Sequence, residues 1–186
     1  MRSNRSVTTL LIGGLLALTS PVLMNPNKAD ANEYVVNQCR QSVFGTYLST
    51  ANQTNSNSGQ PSSFREIITF SADGNLIAND SNASGVPGSS NPADQPFGSI
   101  QGTWKCTGNN EIVAKALAFS FASGSLPGNI ALGEFHLTFN PQTRAVNGKL
   151  TISNFYDLNS NPLAQNTQPL PGGPFEYSYQ GVKLKN

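Results

Sequence analysis

Charge is scarce in this chain. Of its 186 residues only 11% are Asp, Glu, Lys or Arg, and 11 basic against 10 acidic residues leave a net charge of +1. The charges are scattered, so there is no footprint for nucleic acid or for an anionic membrane surface. Histidine occurs once, as His136, and cysteine twice, as Cys39 and Cys106. Two distant cysteines and one histidine lack the ligand spacing of a zinc site. No acidic cluster suggests calcium or magnesium, and no Gly-rich loop leads from a strand into a helix as a phosphate cradle does. Neither a metal nor a cofactor is expected. Serines are plentiful, but none stands in a nucleophile motif. His136 has no evident serine and acid to complete a triad, and reads as an exposed surface histidine. A convincing helical period between the apolar runs is also missing.

What the chain does have is turn residues and short alternating runs. Gly, Pro, Asn and Ser are abundant, which suits a turn-rich all-β domain, and the length suits one domain with a real core.

The N-terminus reads as an export signal. Arg2 and Arg5 make a basic start, Val7–Leu23 is mostly apolar, and Ala29-Asp30-Ala31 is a small-x-small cleavage site. A membrane anchor is the rival reading, but the run is short for a span and carries Gly13, Gly14 and Pro21. Cleavage after Ala31 would remove Arg2, Arg5, Lys28 and Asp30, leaving eight basic and nine acidic residues. The expected organisation is a signal peptide over 1–31 and a single domain over 32–186, secreted or periplasmic, with no membrane attachment after cleavage. Cys39 and Cys106 both lie in the mature part. In an oxidising compartment the pair is expected to form a disulfide, the alternative being two buried thiols.

The stretch Phe97–Phe121 organises the rest. Two alternating runs are joined by Gly108-Asn109-Asn110, a strong hairpin signal, and they hold the lone tryptophan, Trp104, and Cys106. Further strands are expected over Val43–Thr50, Phe64–Phe70, Asn75–Asn79, Asn129–Asn140, Ala145–Asp157 and Phe175–Leu184. Ala51–Ser63, Asp80–Pro96 and Leu158–Pro174 read as loops. Asn32–Ser42 is a short helix or an irregular lead-in. Eight strands joined mostly as hairpins predict an antiparallel up-and-down meander, and closing it into a barrel removes its edges.

Gly45-Thr46-Tyr47, Gly102-Thr103-Trp104 and Gly133-Glu134-Phe135 each place a glycine two residues before an aromatic on a strand. In this order of elements the chain resembles calycin-like small barrels, the lipocalins and the barrel shared by allene oxide cyclases and dirigent proteins. Lipocalins carry Gly-x-Trp on the first strand, where this chain has Gly45-Thr46-Tyr47. The resemblance implies the barrel; it brings no ligand or activity with it.

Alternation assigns the faces. The bulky sets are expected inside: Val113, Leu117, Phe119 and Phe121 on strand five, Phe135, Leu137 and Phe139 on strand six, Val146, Leu150 and Ile152 on strand seven, Phe175, Tyr177 and Tyr179 on strand eight, and Phe64, Ile68 and Phe70 on strand two. Glu66 falls among the last set. Either it is a buried acid with a raised pKa, or a bulge, a register shift or an ion pair with Arg40 or Arg65 takes it to the rim. The interior is either a filled core or a pocket for a small apolar molecule lined by Tyr47, Glu66, Phe70, Trp104 and Tyr177. The functional expectation is an exported, non-enzymatic barrel that binds a small apolar molecule or a protein partner. The alternatives are an isomerase or cyclase using the interior acid, and a structural envelope or matrix protein.

Overall fold

The computed structural model describes residues 36–55, 63–85, 95–171 and 173–185; the expected signal peptide lies outside them. A short helix, α1 (36–43), precedes eight strands: β1 (Gly45–Gln53), β2 (Ser63–Phe70), β3 (Asn75–Asp80), β4 (Ile100–Cys106), β5 (Glu111–Ser120), β6 (Asn129–Asn140), β7 (Ala145–Asp157) and β8 (Phe175–Lys183). Each strand pairs antiparallel with the next, and β8 returns to β1, so the sheet is a closed eight-stranded barrel. Among the described residues no helix is long and apolar enough to cross a membrane.

Alternation builds the wall. β2 reads Ser-Phe-Arg-Glu-Ile-Ile-Thr-Phe and is buried at every second residue, Phe64, Glu66, Ile68 and Phe70. β1 begins two residues later than the sequence suggests, because α1 runs through residue 43. It also runs on to Gln53, because Asn52 and Gln53 pair with Ser178 and Tyr177 across the closing seam. β4 and β5 form the expected hairpin, with Cys106 opposite Ile112.

The interior is filled with aromatic side chains in edge-to-face contact. Tyr47, Phe70 and Phe139 meet one another with ring centroids 5.3–5.9 Å apart, and Trp104 stands on Phe70 at 6.1 Å. The Trp104 indole N–H donates to the carbonyls of Ser71 and Asn75, holding the β2–β3 turn over this end. Farther along the barrel, Phe135 stacks edge-on with Tyr179, and Phe64 with Tyr177.

One face assignment is corrected. On β5 the inner residues are Ile112, Ala114 and Ala116, while Val113 and Leu117 are half-buried and Phe119 and Phe121 are exposed. The reason is lateral packing. Ala114 lies between Trp104 on β4 and Phe135 on β6, and both of those large side chains point inward. A layer with large neighbours on both sides holds only a small residue between them. Gly102, opposite Ala116, is a glycine for a different reason: β4 and β5 approach so closely there that a Cβ would lie 2.0 Å from the Lys115 carbonyl oxygen.

α1 closes the end nearest Tyr47. Cys39 and Val43 are fully buried in the core, and the Tyr47 hydroxyl donates to the carbonyls of Val43 and Ser42 at 2.8 and 3.2 Å. Cys39 is bonded to Cys106, with Cα atoms 6.2 Å apart across a separation of 67 residues. A loop of that length corresponds to roughly 4 kcal/mol in the chain-entropy picture.

Candidate functional site

The five residues expected to line a ligand pocket all face the barrel axis. Tyr47, Glu66 and Phe70 are at most 1% exposed, Tyr177 4% and Trp104 6%. Several of them are packing partners: Tyr47 meets Phe70, Phe70 meets Trp104, and Tyr177 meets Phe64. The gap left between β5, β6 and β7, against Ala116, Ala118, Gly133 and Leu150, is about 40 Å³, the share of about one water. Of the five, Tyr47 also borders a cleft at the barrel mouth.

Glu66 faces inward. The rim position and the ion pair with Arg40 or Arg65 are both overturned: Glu66 is fully buried, and Arg65 lies on the opposite face of β2, donating from Nε to the Ser49 carbonyl at 3.2 Å. In register, Glu66 stands between Ser49 on β1 and Asp80 on β3. The Tyr179 hydroxyl donates to Glu66 Oε2. Burial, and then the charge of Asp80, push the Glu66 carboxyl well above the usual range; burial pushes Asp80 up to about 7. Burial, and then Glu66, likewise raise the Tyr179 phenol. Apart from each other's carboxyl, Glu66 Oε1 and Asp80 Oδ1 have no hydrogen-bond partner among the described residues. Two facing carboxyls in a dry site hold a proton between them rather than two charges. As chemistry this is a competent acid or base. As a site it offers no space beside it for a substrate among the described residues.

Asp80 and Ser49 were not singled out from the sequence, though the signal was present. Ending the third strand at Asn79 left out the next inward position after Leu76 and Ala78. Ser49 continues the inward series Tyr47, Ser49, Ala51. His136 is exposed, as expected, with Nε2 2.6 Å from Glu134 Oε1; Lys115 Nζ lies 3.4 Å from Glu134 Oε2. The trio sits on the outer wall with no serine in the arrangement.

The outward turn of β5 produces the other concave surface. Leu117, Phe119, Ile130, Pro162 and Leu163 line a groove of about 320 Å³ on the outside of the barrel, between β5 and the segment after β7. Phe119 is 61% exposed and Leu163 72%. Its edge is held rigid by residues 95–98. The Gln95 side chain, itself buried, donates to the carbonyls of Phe121 and Pro127 and accepts from Asn129 at 2.7 Å. The Gly98 N–H donates to the Phe119 carbonyl, and the Phe121 N–H to that of Pro96. A glutamine at the end of a polar loop gives no sequence signal of this role. With this geometry in view, comparison of the chain with protein-family models, curated proteins and solved structures returned no match.

Proposed function

We propose that this chain is an exported, non-enzymatic β-barrel that binds an apolar group of a protein partner on its outer wall, in the groove beside Phe119. The carrying observation is the inverted β5: bulky apolar side chains point to solvent while alanines fill the inside. Exposed apolar patches with a polar rim are characteristic of interaction sites, and aromatic anchors held in place give the largest share of binding energy. The pinning of Phe119 and Phe121 by Gln95 and its neighbours supports a preformed site. The filled interior weighs against a ligand carried inside. The Cys39–Cys106 bond is compatible with the secreted or periplasmic location that the N-terminal segment suggests.

The reading is tested by placing a photoreactive phenylalanine analogue at position 119, with Thr138 on the outer wall as the control position. The expected result is a discrete protein adduct from 119 alone. A co-purified small apolar molecule in the native mass spectrum, lost on Phe119→Ser, would make the site a small-molecule groove instead. Equal labelling from both positions would remove the site altogether.

A further inference from the structure

The barrel mouth beside α1 carries a second, differently built surface. A cleft of about 370 Å³ is lined by Tyr47, Phe139, Arg144 and Lys183, with Gln41 and Ser42 of α1 at its edge. Two cations thus face one concavity. Among the described residues neither has a carboxylate within ion-pair distance, and no Asp or Glu lines the cleft.

Each cation is held in place by uncharged partners. Arg144 sits in the turn between β6 and β7 with φ 62°, a left-handed conformation that costs a non-glycine residue energy. That backbone aims its guanidinium towards the end of the neighbouring β8, where Nη2 donates to the carbonyls of Lys183 and Leu184. Its remaining N–H groups have no acceptor among the described residues. Lys183 comes from the inner face of β8. Its stem passes Gly45, where a Cβ would lie 2.4 Å from Lys183 Cε, so the glycine makes room for it. Its ammonium stands 5.0 Å from the centre of the Phe44 ring and 5.7 Å from that of Tyr47. Burial, and then the charge of Arg144, lower the Lys183 pKa. The carbonyls at the end of α1 would repel an anion, but the Tyr47 hydroxyl already caps two of them.

We propose that the barrel mouth is a binding site for a small organic carboxylate, which would bridge Arg144 and Lys183 and lay its apolar body against Tyr47 and Phe139. A planar guanidinium fork matches a carboxylate, and the volume lies in the range of small-ligand clefts. The site is independent of the groove beside Phe119, so either can fail without the other.

The test uses benzoate, its neutral isostere benzamide and inorganic phosphate, each titrated into the exported protein. Binding is read by calorimetry and by the backbone amide resonances of Ser42, Arg144 and Lys183. Benzoate is expected to bind and move these resonances, to raise the Lys183 pKa read at its Cε resonance, and to lose at least tenfold in affinity in Lys183→Met and in Arg144→Gln. The amide spectrum of each variant shows whether it has folded. If Arg144→Gln unfolds, because it also loses the carbonyl bonds to the end of β8, Lys183→Met decides alone. Benzamide binding as well as benzoate, phosphate binding better than benzoate, or folded variants that keep full affinity would each overturn the assignment.

Discussion

The pair Glu66 and Asp80 sets how the molecule responds to pH. Both carboxyls are pushed up in the folded state, from ordinary values of 4.5 and 3.8: Glu66 by burial and then by the charge of Asp80, Asp80 by burial, against which its hydrogen bond with Glu66 works. The groups packed around Glu66 are Ser49 from β1, Asp80 from β3 and Tyr179 from β8, none of them a cation. The folded protein therefore holds protons that the unfolded chain releases near pH 4. Their contribution is fully present below that value and is lost as pH rises through about 7 and beyond, with a limiting slope of about 1.4 kcal/mol per pH unit for each proton. Glu66→Gln keeps an acceptor for Tyr179 and removes one titration. Denaturant midpoints at pH 5 and pH 8 should differ less in the variant than in the parent. Equal differences would mean that the pair holds no extra proton.

β5 shows where reading by bulk stops working. Strand order, the hairpin at Gly108-Asn109-Asn110 and the inward faces of β2, β6, β7 and β8 were legible, because alternation is a property of one strand at a time. The facing of β5 depends on what stands beside it, Trp104 on one side and Phe135 on the other, and that needs the register of three strands. Gln95 was illegible for a related reason, since its partners Phe121, Pro127 and Asn129 are remote in sequence. The inverted strand makes a sharp expectation. Ala116→Leu adds three carbons beside a gap of about 40 Å³ and should cost about 1–3 kcal/mol by overpacking. Were the alanine face outside, the same change would fall within about 0.5 kcal/mol. Urea denaturation separates the two outcomes.

The whole molecule is read as exported, so the protein recovered outside the cytoplasm should begin at Asn32, as N-terminal sequencing and intact mass would show; a retained Met1 would overturn the export reading. Export threads the N-terminal end first, and the closed wall gives that order a consequence in time. The seam joins Tyr47 to Lys183, near the two ends of the described chain. The first strand to emerge must therefore stay half-paired until the last has crossed. Loops this long close slowly, and contacts this distant in sequence slow folding. On the export reading, that interval leaves the outer edge of β1 open to any waiting chain, and crowding at the exit would lower the yield of finished protein.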